Sequence, residues 1–180
     1  MAEFDTFANQ LLEEAKRFLE KAREAPNEKS EAANLHAALL LSCCALEAHV
    51  NAVAEEFSGS NELSAHERGL LLEKEAKLKD GQFQVVDALK MTRLEERIEF
   101  LHAKFSGKPV DRSLPWWAGI RAAIDLRNQL THAKAIPAIS QSAVRVAVQS
   151  IIDALDALYR AIYKKKFPPS TQGLNSDLTF

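Results

Sequence analysis

Apolar residues recur at three- and four-residue intervals along most of the chain, which is the spacing of one face of an α-helix. The first such stretch ends near Pro26. Its apolar positions are Phe4, Phe7, Leu11, Phe18 and Ala22. Its charged positions fall mostly on the other faces, and they include Glu13, Glu14, Lys16, Arg17 and Lys21. The pattern predicts an amphipathic first helix with a solvated charged face.

A second helix is predicted from a cap at Asn27 or Ser30 to about Phe57, before the breaker Ser58-Gly59-Ser60. Its apolar stripe steps alternately by four and three residues, as it does in helices that pack in bundles. The stripe consists of Leu39, Cys43, Leu46, Val50, Val53 and Phe57. This spacing predicts a helix that packs against neighbouring helices.

Two further helices are predicted before position 106. One is opened by Asn61 or Ser64 and runs to about Lys79, where Asp80-Gly81 closes it. The other runs from about Gln84 to Phe105. No stretch is interpreted as the sustained alternation that is typical of strands. The two stretches therefore predict helix rather than sheet.

The last two predicted helices lie on either side of Pro137. Ser113 and Pro115 suit the start of the first, and Ser140 suits the start of the second. The apolar positions of the first include Trp116, Trp117, Ile120, Ile124 and Leu130. Those of the second are Val144, Val148, Ile151, Leu155, Leu158 and Ile162.

The pattern as a whole predicts an all-α fold, an up-and-down bundle of five to six helices. With 180 residues, the chain is long enough for one domain with a substantial core. That domain is expected to span residues 1–166. Residues 167–180 are rich in Pro, Ser and Thr and are expected to form a flexible tail.

Composition limits the classes of function. The net charge of −2 argues against a protein that coats nucleic acid, which would need a strong basic excess. Cys43 and Cys44 are neighbours and cannot form a disulfide framework, which predicts a reducing, cytoplasmic location. Neither a secretory signal nor an apolar run long enough to cross a bilayer is expected, so no membrane association is predicted.

The stretch from Asp125 to His132 is the main candidate for chemistry. Arg127 offers a planar cation that matches phosphate, and His132 offers an imidazole that can take or give a proton near neutral pH. Together they suffice to break a phosphodiester without a metal or a cofactor. The alternative is structural: Arg127 belongs to a surface charge cluster with Asp125, and His132 favours a helix C-terminus.

Helix geometry separates these two groups within one chain. Asn128 lies one turn below His132, whereas Arg127 and His132 are roughly 140° apart around the axis and about 7.5 Å apart along it. A single helix therefore does not aim both groups at one phosphate. Two copies facing across a twofold axis would do so, and local unwinding before Pro137 is the other solution. The dimer is the favoured interpretation.

The spacing Arg127-Asn128, three residues, then His132 resembles the signature of the HEPN superfamily, the higher eukaryote and prokaryote nucleotide-binding domains. Many members of that superfamily are metal-independent ribonucleases with composite sites at a dimer interface. The resemblance implies a homodimeric endoribonuclease with Arg127 and His132 as catalytic residues. Asn128 would orient His132 or bind phosphate. RNA would be the partner, in a toxin–antitoxin, antiviral or stress-response role.

A second stretch, Leu46 to Asn51, resembles the second-helix segment of HEPN proteins. Glu47 lies inside an apolar run, where a carboxylate needs a reason to be present. Glu47, with Asn51 one turn further on, would support the motif by orienting Arg127 or His132. The alternative is that Glu47 reaches solvent at the edge of the apolar stripe.

One position departs from the family pattern. HEPN proteins paired with nucleotidyltransferase antitoxins often carry Tyr two residues after the His, whereas this chain has Lys134. Such an antitoxin is therefore a weaker expectation than another protein partner. Lys134 and Arg121 are the candidate RNA contacts of the site.

Other features carry less chemistry. The Glu99–His102 unit has a spacing used in di-iron bundles, but it occurs once and no metal site is predicted. His49 shows no ligand-type spacing and is expected to pack or to lie on the surface. Trp116 and Trp117 are expected in the core or at a dimer interface rather than against a base.

Two rival functions remain. The first is a non-catalytic HEPN-like dimer that binds RNA, a nucleotide or a protein. The second is a plain helical interaction bundle, which the mild net charge favours.

Overall fold

The structure is a computed structural model that describes residues 2–180, with side chains from Thr6 onward. Its α-helices are α1 (Ala2–Glu24), α2 (Glu28–Phe57), α3 (Ala65–Leu72), α4 (Leu94–Ser106), α5 (Pro115–Thr131) and α6 (Gln141–Tyr163). Strands β1 (Lys74–Lys79) and β2 (Gln82–Leu89) form a two-stranded sheet, and a 3-10 helix spans Pro168–Thr171. The predicted all-α class is confirmed. The predicted core position Phe4 lies outside the described side chains.

Helix α2 is the centre of the bundle. Asn27 caps it, since its side chain accepts a hydrogen bond from the backbone N–H of Ser30 at 2.9 Å. The predicted stripe from Leu39 to Val53 is buried, and α1, α3, α4, α5 and α6 all contact the helix. The apolar character of α2 thus follows from its enclosure by other helices.

By length and composition α2 resembles a membrane-spanning helix, and it is the only described helix that does. The expectation that no apolar stretch approaches this length was therefore wrong. Within its most apolar window, 67% of the residues are buried against the rest of the protein. Core helices of globular proteins share this composition.

The prediction for residues 74–89 was also wrong: they form a β-hairpin, and the two flanking helices are correspondingly shorter. Asp80 and Gly81 have φ of 49° and 78° and form a two-residue loop between Lys79 and Gln82. Positive φ at both loop positions is the geometry of a type I′ turn, which favours Asp-Gly and suits the twist of paired strands. Asp80-Gly81 thus joins two strands instead of ending a helix.

Alternation within the hairpin is short but present. Leu78 pairs with Phe83 and Ala76 with Val85 on one face, whereas Lys77 pairs with Gln84 on the other. A register shift between Lys74 and Ala76 interrupts the pattern at the base of the hairpin. The register shift and the lysines of β1 shorten the alternation of apolar and polar residues. The sequence pattern therefore does not indicate a long strand here.

Residues 167–180 are docked on the helices, which differs from the expected flexible tail. Phe167 is buried between His49 and Tyr159, with ring centroids 5.1 and 4.8 Å away. Further along, the Ser176 hydroxyl donates a hydrogen bond of 2.9 Å to the backbone carbonyl of Glu13. The Arg17 Nε donates to the Phe180 carbonyl at 2.8 Å. Buried Phe167 and these hydrogen bonds hold residues 167–180 against the helices, although the composition of this segment resembles that of a linker.

Lys16 also differs from its prediction as part of a solvated face. Its side chain is 0% exposed, and its Nζ donates to Glu13 Oε1 at 2.7 Å. The backbone N–H of Asp177 donates to the other carboxylate oxygen of Glu13 at 3.0 Å. The docked tail therefore binds the carboxylate that neutralises this buried lysine.

Arg97 links the base of the hairpin to α2. Its guanidinium is 3% exposed; Nη2 donates to Asn51 Oδ1 at 2.6 Å, and Nη1 lies 3.5 Å from Glu73 Oε2. Glu73 also accepts hydrogen bonds from the backbone N–H groups of Lys90, through its carbonyl, and Thr92, through its carboxylate. Burial lowers the pKa of Arg97, while the charge of Glu73 opposes that change. One buried cation thus joins α2, α4 and the hairpin.

The acid stability of the protein should depend on His49. This imidazole is 2% exposed, and burial lowers its pKa from 6.5 to about 4. As the pH falls, His49 takes up a proton in the unfolded chain before it does so in the folded protein. The free energy of unfolding is therefore unaffected by this group above pH 6.5 and decreases as the pH falls towards 4. The full loss is roughly 3 kcal/mol.

We expect His49→Leu to flatten the fall in unfolding free energy between pH 6.5 and 4.5, measured by urea denaturation. His36→Leu, at a half-buried histidine, should keep it; equal slopes in wild type and His49→Leu would contradict the assignment.

Removing the amide that serves Arg97 should destabilise the fold. Asn51→Ala leaves a buried guanidinium without its shortest hydrogen bond, and we expect a loss of about 1–3 kcal/mol in the free energy of unfolding. Asn34→Ala is the matched control on the same helix, because its amide donates to the Ser30 carbonyl and to no other group among the described residues. The control should lose less than about 1 kcal/mol. Similar urea midpoints for the two variants would show that Asn51 does not support a buried charge.

Candidate functional site

Two aromatic residues fix the start of α5. Pro115 occupies the first turn, and Trp116 and Trp117 are both buried, with ring centroids 5.7 Å apart. The expectation that these indoles belong to the packed interior of the protein rather than against a base agrees with this burial. They anchor the helix that carries the candidate chemistry at its other end.

Gly119 brings α5 close to α6. A Cβ at this position would lie 2.0 Å from the Ser150 Oγ, which is far inside van der Waals contact. The absence of a side chain at Gly119 therefore permits this approach.

The helix ends at the motif. Thr131 is the last residue of α5, and the backbone N–H of His132 donates to the Asn128 carbonyl at 2.9 Å. His132 follows as the C-cap with φ −119° and ψ 40°, and its side chain is exposed. The last turn is thus intact up to His132, and the imidazole stands at the open end of the helix.

An open cleft of about 640 Å³ lies beside this helix end. It is lined by Asp125, Asn128, Gln129, His132, Lys134, Ala135, Ile136, Pro137 and Ala138. We call this the motif cleft. Of the predicted site residues, the structure gathers Asn128, His132 and Lys134 around it.

Arg127 does not line the motif cleft. It is half-buried on the side of α5 that faces α2, where the Cys43 thiol lies 3.8 Å from the Ala123 carbonyl. Burial raises the pKa of Cys43 to about 12, and the nearby charge of Arg127 acts in the opposite direction. Within one copy, Arg127 and His132 therefore face different surroundings, as their spacing of five residues predicts.

The predicted supporting residues on α2 have other surroundings. Glu47 is exposed, and no hydrogen bond joins it to Arg127 or His132 among the described residues. Its charge reaches the Cys43 thiol and Arg97. Asn51 binds Arg97 and so belongs to the link at the base of the hairpin rather than to the motif.

The charges around the motif are mixed, because Asp125 lines the cleft together with Lys134. Arg121 is exposed two turns before Asn128, and Lys134 is exposed on the cleft. The ion pairs among the described residues all lie outside α5 and the loop that follows it. These cations are thus free to meet an anionic ligand.

A second concavity adjoins the motif cleft and was not predicted. It measures about 270 Å³, lies between α5 and the start of α6, and is almost entirely apolar. It is lined by Gly119, Ala122, Ala123, Leu126, Ser142, Ala143, Val146 and Ala147. We call it the α5–α6 groove. Val146 at its edge is 58% exposed. The small residues of both helices are the signal that could have indicated it.

The arrangement supports acid–base chemistry on a phosphate. An exposed imidazole on a cleft can exchange a proton with a bound hydroxyl, and the amide of Asn128 one turn below can donate to a phosphate oxygen. Among the described residues, no group of three or more His, Cys, Asp or Glu side chains is placed to hold a metal ion.

The chain was compared with protein-family models, with curated protein sequences and with solved structures, and none of these matches it. The resemblance to the HEPN superfamily therefore rests on the two stretches of sequence around Glu47 and Arg127.

Proposed function

We propose that this protein is a metal-independent, HEPN-type endoribonuclease. The observation that carries the proposal is the placement of His132 and Asn128, one turn apart, on an open cleft beside cations that form no ion pair among the described residues. A bundle that served only as a scaffold would not need an exposed imidazole, an amide and a lysine around one concavity. RNA supplies both the phosphate and the nucleophile for such a site.

His132 is the proposed general base. It takes the proton of the 2′-hydroxyl, and the 2′-oxygen then forms a bond to the adjacent phosphorus. The bond between phosphorus and the 5′-oxygen breaks, and His132 of the partner subunit gives that oxygen a proton. The products are a 2′,3′-cyclic phosphate and a 5′-hydroxyl. DNA is inert because it lacks the nucleophile, and no cofactor takes part.

The proposed site is shared between two copies. Arg127 lies outside the motif cleft of its own chain, so a second copy is the source of the guanidinium that would hold the phosphate and stabilise the charge of the transition state. The α5–α6 groove supports this arrangement because it is apolar, exposed and adjacent to the cleft. A twofold contact through the groove would bring two motif helices together.

The remaining predicted residues have secondary roles in this proposal. Lys134, on the cleft, and Arg121, further along α5, would attract the RNA backbone. Glu47 would bind Arg127 at the edge of the shared site. A toxin, antiviral or stress-response role in the cytoplasm, with or without an antitoxin, fits a nuclease of this kind.

A second candidate function has one observation in its favour. Because Arg127 is half-buried against α2, the cleft residues alone would bind RNA or a nucleotide without cleaving it. A non-catalytic HEPN-like dimer would therefore bind RNA with the same Asn128, His132 and Lys134. Binding without cleavage by the wild type would select this candidate.

Removing either motif side chain should abolish cleavage. In EDTA, we expect His132→Ala to lower the rate on structured RNA by about a hundred- to ten-thousandfold, since the general base is lost. Arg127→Ala should lower it by about a hundred- to a thousandfold.

Cleavage is followed on gels, and cyclic-phosphate ends are identified by mass spectrometry. His66→Ala, on α3, and Arg93→Ala, before α4, are substitutions at exposed residues near the hairpin and should match wild type. Thermal unfolding of every variant checks the fold; equal activity in all five proteins, or activity in none, would refute the nuclease.

A charge in the α5–α6 groove should separate the dimer. We expect Val146→Glu to convert a dimer to a monomer, measured by analytical ultracentrifugation, and to lower cleavage at least about a hundredfold because Arg127 of the partner subunit is lost. Leu89→Glu, at an exposed apolar position of the hairpin, is the control and should remain a fully active dimer. A monomeric wild type that cleaves RNA would contradict the shared site.

A further inference from the structure

The buried Arg97 borders a cavity that is separate from the motif cleft. This cavity measures about 260 Å³ and lies between α2, the end of α3 and the first turn of α4. Its polar lining consists of Asn51, Glu55, Glu73 and Arg97. A guanidinium that is 3% exposed and two carboxylates thus meet around one concavity. We call it the Arg97 cavity.

The guanidinium of Arg97 is only partly hydrogen-bonded among the described residues. It carries five N–H donors, and Nη2 donates to Asn51 Oδ1 at 2.6 Å. Nη1 lies 3.5 Å from the Glu73 carboxylate, and the buried Nε has no hydrogen-bond partner among the described residues. Leaving a buried donor of a charged group without an acceptor costs its hydration. Arg97 therefore has donors left for a further acceptor.

Glu73 holds this guanidinium at a conformational cost. It ends α3 with φ 54° and ψ 40°, in the left-handed region that favours glycine because glycine has no Cβ. A glycine would end the helix with less strain, but it would lack the carboxylate that faces Arg97. Asn51 and Glu73 together keep the guanidinium at the wall of the cavity.

Glu55 is the second carboxylate of the cavity. It lies one helical turn beyond Asn51 on α2, and its side chain is exposed. The ion pairs formed by the described residues include none with Glu55. The Arg97 cavity therefore offers donors at Arg97 and a negatively charged acceptor at Glu55.

These two groups match one class of ligand. The planar fork of a guanidinium fits a carboxylate or a phosphate. A phosphate carries more negative charge, which Glu55 and Glu73 would repel, so a carboxylate fits better. A ligand ammonium group would donate to Glu55. A zwitterion with both groups on neighbouring atoms, as in an α-amino acid, satisfies Arg97 and Glu55 together.

The size and the apolar lining of the cavity restrict the rest of the ligand. Drug-sized molecules occupy sites of about 300–1,000 Å³, so a cavity of about 260 Å³ suits a smaller molecule. Its apolar lining consists of Ala54, Leu71 and Leu72. An aliphatic side chain would gain by packing on these residues, whereas a charged one would lose its hydration.

We propose that the Arg97 cavity binds a small aliphatic α-amino acid, in a site that is independent of the proposed cleavage of RNA. The carboxylate of the ligand accepts hydrogen bonds from Arg97, and its ammonium group donates to Glu55. Its side chain lies against Leu71 and Leu72. The alternative is that Arg97 only joins the hairpin to α2 and that the cavity holds water.

The first test measures the binding of three probes to the full chain by isothermal titration calorimetry and thermal shift. L-Leucine carries both charged groups, isocaproate lacks the ammonium group, and isoamylamine lacks the carboxylate. We expect each partial ligand to bind about ten- to a hundredfold more weakly than L-leucine, because each lacks one charged hydrogen bond. Equal affinity for the three probes, or no binding of L-leucine at millimolar concentration by either method, would overturn the proposal in favour of water.

The second test locates the ligand. Glu55→Gln changes an exposed side chain, and it should lower the affinity for L-leucine at least about tenfold, to that for isocaproate. Glu28→Gln, at an exposed carboxylate on the same helix outside the cavity, is the matched control and should bind like wild type. L-Leucine should also shift the Arg97 Nε–H signal of the wild type in NMR spectra. Wild-type affinity in Glu55→Gln, or an Arg97 signal that does not move, would refute this site.

Discussion

The enclosure of α2 is the constraint on which the rest of the structure depends. This helix is so apolar that it has to be covered, and α1, α4, α5 and α6 are arranged around it. Three polar residues in its second half are accommodated in different ways. Glu47 lies on the exposed strip, His49 is kept neutral between aromatic rings, and Asn51 binds a buried arginine. The same enclosure holds α5 in place and so sets where the motif meets solvent.

The long helices could be predicted from the sequence because each of them has one periodic stripe of apolar residues. The hairpin could not, since its apolar residues also fit helical spacing and its strands are short, lysine-rich and irregular. Asp80-Gly81 was the decisive local signal. Both residues have positive φ, which is the geometry of a turn that joins two twisted strands. The end of a helix needs only one residue in the left-handed conformation. Lys16 and the docked segment after α6 depend on each other across the whole chain, which local patterns do not encode.

The candidate site was predictable only in part. Helical spacing alone places Asn128 below His132 and turns Arg127 away from both, and the structure has this arrangement. Asn51 was misassigned because the stripe on one helix does not show which neighbouring helix faces it. Its partner Arg97 lies on α4, far away in sequence, so no local pattern indicates their contact. The exposure of Ile136 and the α5–α6 groove are properties of packing rather than of sequence pattern, as is the close approach of Gly119 to Ser150.

The strap formed by residues 167–180 has a consequence for how the protein is made. Ser176 binds the backbone of Glu13 across 163 positions of the chain, so the first helix meets these surroundings only after residue 176 has been synthesised. Contacts of such high sequence separation form late and slow the search for the native state. The Glu13 carboxylate that pairs with Lys16 therefore gains its hydrogen bond from Asp177 only after that residue has been synthesised.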